Sequence, residues 1–109
     1  MKVCYRLARL YHLQKEIPVD FNKSMKYYRK ACEGNHAQAC NNTGSHYRLG
    51  NSVTINYKKA LEYYEKSYIL GGTDASSRNI EFVKGLIRDR KECLKQGNIW
   101  NYRRRECEI

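Results

Sequence analysis

The sequence predicts an all-α fold, a solenoid of stacked helix-pair repeats, and three observations carry that prediction. One pattern recurs along the chain at a constant offset, with Cys4 and Tyr11 matched by Cys40 and Tyr47, each 36 residues on. Apolar residues recur at helical spacing between short breaks containing Gly, Asn or Pro. Pro18 is the only proline in 109 residues, so long helices are permitted over most of the length.

The repeat rests on two independent blocks. Cys4-Tyr5-Arg6-Leu7-Ala8-Arg9-Leu10-Tyr11 lies over Cys40-Asn41-Asn42-Thr43-Gly44-Ser45-His46-Tyr47. Lys23-Ser24-Met25-Lys26-Tyr27-Tyr28-Arg29-Lys30 lies over Lys59-Ala60-Leu61-Glu62-Tyr63-Tyr64-Glu65-Lys66. The offset is the same in both, and it also brings Asp20 over Asn56 and Ile17 over Val53. Self-similarity at this period is the signature of a repeat architecture in which each unit covers its neighbour.

Each element then follows in order. Leu7, Ala8, Leu10 and Tyr11 form the apolar face of a first helix, which ends at Leu13 before a break over 14–19. Asp20 stands where an N-cap belongs, and Phe21, Met25, Tyr28, Ala31 and Cys32 mark the inner side of the second helix. Gly34 and Asn35 close it. The next unit has a helix over about 36–49, a break over 50–54, an Asn56 cap, and a helix over about 57–70 ended by Gly71–Gly72. A further helix of the first type is expected from Asp74 to Val83, with Ile80 and Val83 at the positions of Gly44 and Tyr47, and a separate amphipathic helix over 86–96. The chain thus divides into repeat 1 (1–35), repeat 2 (36–71), a degenerate third repeat or capping helices (72–97), and a basic tail (98–109) expected to be poorly ordered.

Composition bounds the function. The formal net charge is +10 and the mean hydropathy is −0.84, values of a soluble, basic domain. The excess is spread out, and only Arg103, Arg104 and Arg105 form a tight cluster. Such a surface predicts weak binding to acidic surfaces. No base-reading motif accompanies the charge, so no specific nucleic acid is expected. No run is long and apolar enough for a membrane helix, and Arg6 and Arg9 interrupt the N-terminal stretch, which argues against a signal peptide.

At residues 27–50, YYRKACEGNHAQACNNTGSHYRLG, the chain resembles the Sel1-like repeat family, with its TPR-like helix pairs. An aromatic-rich second helix runs into Lys-Ala, a Gly-containing turn, Ala-x-Ala, and then Gly and Tyr in the following helix. NYKKALEYYEKSYILGG, residues 56–72, resembles that second helix again. The resemblance covers about residues 3–83 and implies a scaffold for other proteins, not an enzyme.

Within the family, Cys32 and Cys40 resemble the cysteine-rich branch, in which such a pair forms a disulfide. One cysteine ends a helix and the other begins the next, and the alternative is two small buried hydrophobes. A bridge there would stabilise by roughly 2–3 kcal/mol in an oxidising compartment. Cys4 is the repeat equivalent of Cys40, and its own partner would precede Met1, which suggests a start inside a longer array. In the second unit the pair positions are Tyr68 and Ser76, so no bridge is expected. Cys93 and Cys107 could pair, stay free or bond another molecule.

Cys4-Tyr5-Arg6-Leu7 with the Cys32–Cys40 pair is also similar to family members that assemble cytochrome c oxidase in the mitochondrial intermembrane space. The alternative is a secreted or periplasmic bacterial protein of the cysteine-rich branch with β-lactamase-like activity. No Ser-x-x-Lys, Ser-Asp-Asn or Lys-Thr-Gly supports that chemistry, and no glycine-rich phosphate loop is present. No catalytic, cofactor or metal residue is assigned: His12, His36 and His46 lack a second ligand at helical spacing and are expected in surface or cap roles.

The candidate partner-binding residues are Tyr27, Tyr28, Tyr63, Tyr64, Lys26 and Arg48. One tyrosine of each pair should pack between helices and its neighbour, 100° around, should face outward. Exposed tyrosine flanked by Lys or Arg is effective contact chemistry on the concave face of a solenoid.

Overall fold

The computed structural model describes residues 4–5, 21–71 and 74–108. The expected first helix through Leu7, Leu10 and Tyr11, its end at Leu13 and Pro18, the Asp20 cap and His12 lie outside the described residues, as does the side chain of Phe21. Four helices follow one another: α1 (Phe21–Glu33), α2 (Ala37–Leu49), α3 (Tyr57–Ile69) and α4 (Asp74–Lys95). An antiparallel hairpin of β1 (Ile99–Asn101) and β2 (Glu106–Glu108) completes the chain, with Trp100 opposite Cys107. Each helix packs on the next in sequence, and the hairpin packs on α4.

Local chemistry sets the boundaries. His36 caps α2, its Nδ1 accepting from the Ala39 N–H at 3.2 Å, and Asn56 caps α3, its side-chain oxygen accepting from Lys59 N–H at 3.0 Å. Each helix is followed by a left-handed residue: Asn35 (φ 66°), Gly50 (φ 74°), Gly71 (φ 88°) and Gly97 (φ 79°). At Asn35 the reversal is complete, with Asn35 N–H bonded to Cys32 O and His36 N–H bonded back to Ala31 O. Asn35 and Gly71 are repeat equivalents, so the turn between units is conserved in backbone form while its residue changes.

The interior divides into two clusters. Tyr28, Ala31 and Cys32 of α1 meet Ala39 and Cys40 of α2, with Cys4 and Tyr5 packed alongside. Tyr47, Tyr57, Ala60, Tyr64, Val83, Leu86, Cys93 and Trp100 join α2, α3, α4 and the hairpin, with Met25 of α1 among them. Gly44 is the point of closest approach between α2 and α3: a Cβ there would lie 2.8 Å from the Tyr64 ring and 3.0 Å from Ala60 O. Ion pairing contributes little, since the pairs formed among the described residues, Arg88–Asp89 and Arg104–Glu106, are exposed and local.

Three expectations are corrected. The chain over 74–95 is one helix of 22 residues and not two, because Lys84-Gly85 is tolerated inside a continuous apolar stripe of Ile80, Val83, Leu86 and Ile87. The tail is ordered over 98–108: Cys93 is disulfide-bonded to Cys107, and the indole N–H of buried Trp100 donates to Tyr57 Oη at 3.2 Å. His46 is not a surface residue but 2% exposed, because α2 is covered on two sides and its ring packs 5.7 Å from that of Tyr28.

Glycine substitutions separate close approach from mere helix propensity. Gly44→Ala is expected to cost about 1–3 kcal/mol of overpacking, against at most about 1 kcal/mol gained in propensity, so thermal unfolding shifts down. At Gly85 a Cβ would meet only the Arg88 side chain at 3.7 Å, so Gly85→Ala should shift it up. Calorimetric or circular-dichroism melts of the two variants check the opposite signs.

Candidate protein-interaction surface

The junction between units is where the repeat is fastened, and the two junctions use different chemistry. Between α1 and α2, Cys32 and Cys40 form a disulfide with their Cα atoms 4.6 Å apart. The expected pairing is therefore present, and the turn at Asn35 is what brings the two helix ends together. Between α3 and α4, Ser76 occupies the position equivalent to Cys40. Its hydroxyl lies 2.8 Å from Ser67 Oγ, and Ser67 donates to Ala37 O at 2.7 Å. A buried hydroxyl pair thus ties the end of α3 to the starts of both α2 and α4, where no bridge was expected.

The candidate tyrosines separate as their spacing on a helix requires. Tyr28 is 3% exposed and Tyr64 is 0% exposed, so neither offers contact area to a partner, and both are corrected to core residues. Their neighbours Tyr27 and Tyr63 are half-buried. Tyr63 stacks on Tyr47 with ring centroids 5.6 Å apart and planes 9° from parallel. Lys26 is exposed and lines a shallow recess with Arg29, Lys30 and Glu33 of α1 and the Ser52–Val53 loop. Arg48 belongs to a different feature.

That feature is a seam between α2 and α4, the helices of the first type in their units. Asn41, Ser45 and Arg48 follow one another up one side of α2, at i, i+4 and i+7. Asn79 Nδ2 donates to Asn41 Oδ1 at 3.0 Å across the seam. Higher up, the Arg48 guanidinium lies 5.3 Å from the centre of the Phe82 ring. From the hairpin turn, Arg105 approaches the same ring at 5.6 Å. Ser45 Oγ and Arg48 Nε both bond Tyr64 Oη, at 2.9 and 3.2 Å, so a core ring holds two seam side chains in place. Phe82 itself is 44% exposed.

Sequence reasoning named Arg48 but missed Phe82, Arg105, Asn41 and Asn79. The repeat offset carried a signal: Phe82 stands one place before Val83, the equivalent of Tyr47, on the side of α4 turned from the core. Arg105 had none until the tail was placed. The alternation Ile99-Trp100-Asn101 and Glu106-Cys107-Glu108 around four turn residues was the available cue.

Comparison with known families now bears on these elements. The Sel1 repeat model matches residues 2–36 and 37–72, about two thirds of the chain. The chain belongs to the Sel1 repeat family. Sel1 repeats generally mediate protein–protein interaction; α1 lies in the first matched unit, and α2 and α3 lie in the second. No curated protein matches the chain at a significant level. Among the described residues no helix is long and apolar enough to cross a membrane, and no three His, Cys, Asp or Glu side chains converge on a point where a metal ion could sit.

Two disulfides in a chain of this length point to an oxidising compartment outside the cytosol.

Truncation of the paired tyrosines should divide them by burial. Tyr64→Ala is expected to cost about 3–5 kcal/mol, as for other buried rings, whereas Tyr27→Ala costs clearly less because its ring is already part-solvated. Tyr64→Phe, which removes only the hydroxyl bonds to Ser45 and Arg48, should cost about 1 kcal/mol. Urea unfolding of the three variants measures the order.

Proposed function

We propose that the chain is a non-enzymatic scaffold that docks other proteins along the seam between α2 and α4, in an oxidising compartment. The observation that supports this most is the seam itself. Half-buried Ser45 and Arg48 are held by bonds to the core ring of Tyr64, Asn41 and Asn79 bond each other, and the exposed Phe82 ring lies beside Arg48. An ordered binding surface is built in this way before its partner arrives. The membership of the Sel1 repeat family supports the same reading.

A narrower form is a role in assembling a respiratory complex in the mitochondrial intermembrane space. It rests on Cys4-Tyr5-Arg6-Leu7 and the Cys32–Cys40 pair, and it requires that the partner be a subunit of such a complex. The same disulfides suit a bacterial periplasm.

Site-specific photo-cross-linking tests the scaffold. A benzoylphenylalanine at Arg78 or Phe82, beside the seam, should yield discrete higher-mass adducts with partner proteins in the native compartment. The same residue at Lys58 or Glu62, exposed on α3, should not. Equal labelling from both faces, or none from the seam, counts against the proposal. Nitrocefin turnover by the purified protein would overturn its non-enzymatic part.

A further inference from the structure

We infer that the Arg48–Phe82–Arg105 cluster is the docking point for an acidic segment of a partner protein, an extended stretch in which carboxylates flank an apolar side chain. This deepens the scaffold reading and rests on it. Two guanidinium groups approach one aromatic ring, at 5.3 and 5.6 Å from its centre, and the ring keeps 44% of its surface open. Neither arginine is in an ion pair with a carboxylate among the described residues, where the pairs formed are Arg88–Asp89 and Arg104–Glu106. A carboxylate that reaches either guanidinium gains charge-assisted hydrogen bonds, and the open ring beside them takes the apolar side chain between the carboxylates.

Arg48 is held from behind through its side chain, and Arg105 through its backbone. Arg48 gives its Nε to Tyr64 Oη, which fixes the plane of the guanidinium and leaves its Nη edge for a ligand. Arg105 sits in the left-handed region (φ 58°) on the hairpin turn, its N–H bonded to Asn101 O at 2.7 Å. The Asn101 side chain fastens the same turn by accepting from Arg104 N–H at 2.9 Å, and the Cys93–Cys107 disulfide holds the hairpin on α4. The Arg48 side chain and the Arg105 backbone are thus in place before binding, which favours affinity.

The rest of the seam selects a peptide over a nucleic acid. Asn79 and Asn41 bond each other through one half of each amide. The other halves, Asn79 Oδ1 and Asn41 Nδ2, are an acceptor and a donor suited to an extended backbone. A strand of nucleic acid would call for a groove of cations tracking successive phosphates with several stacking rings. The seam has one ring and two arginines. The net charge of +10 adds long-range attraction for an acidic partner without choosing the site.

Fluorescence anisotropy with a short fluorescein-labelled peptide of repeated Glu-Glu-Leu, at physiological salt, tests the assignment on the oxidised full chain. Arg48→Ala, Phe82→Ala and Arg105→Asn should each weaken binding about tenfold. Asn tolerates the left-handed turn at 105 and Phe82 is exposed, so those two variants keep the test valid if Arg48→Ala unfolds. Lys30→Ala with Lys58→Ala removes two charges elsewhere on the exposed surface and should change affinity by less than about twofold. An equal loss in that control shows attraction by bulk charge and overturns the inference. Competition by single-stranded DNA with the same arginine dependence overturns it too. Peptide affinity insensitive to Arg48 and Arg105, with seam photo-cross-links intact, removes this inference and leaves the scaffold. Loss of those cross-links with the arginine dependence intact removes the scaffold instead.

Discussion

The contact of Tyr64 with Gly44 is the constraint on which most of this structure depends. A helix pair in a solenoid has no core of its own, so the two backbones must come close enough for one ring to fill the space between them. Gly44 permits that approach and Tyr64 fills it. The hydroxyl at the far end of the ring then reaches Ser45 and Arg48. Packing energy inside the repeat is in this way converted into side-chain order on its surface. Fold and candidate site are therefore one problem here.

How legible each part was follows from what set it. The caps at Asn56 and the breaks at Asn35, Gly50 and Gly71 are local chemistry, and residue type alone marks them. The tyrosine pairs were legible as pairs, but which ring turns inward depends on helix–helix contact, and only the structure assigns Tyr28 and Tyr64 to the core. Cys93 and Cys107 had no repeat partner to give them a register, so three outcomes stood open until the hairpin placed them side by side. His46 was misjudged because polarity was taken as exposure on a helix that is in fact covered from two sides.

The seam was the least legible feature, for a physical reason. Its members come from α2, α4 and a turn beyond the repeats, and no periodicity links them. A sequence repeat describes what each unit shares with the next. A binding surface depends on what differs between units, and Phe82 and Arg105 belong to the part of the chain where the repeat has faded. The second junction shows the same divergence in the framework: Tyr68 and Ser76 stand at the cysteine positions, and Ser76 is tied instead to Ser67, so the junction is preserved while the bond that secures it changes.

The two disulfides also govern how the chain can mature. Each joins cysteines close in sequence, 8 and 14 residues apart, across a single reversal of the chain. Every other pairing among those four would close a loop of about fifty residues or more, at a greater entropic cost. Each native bond is thus the nearest available one, and the upstream pair is complete in the nascent polypeptide well before the downstream pair has been synthesised. Oxidation can proceed in the direction of synthesis, one supersecondary unit at a time, without an isomerase having to undo bonds made between distant segments.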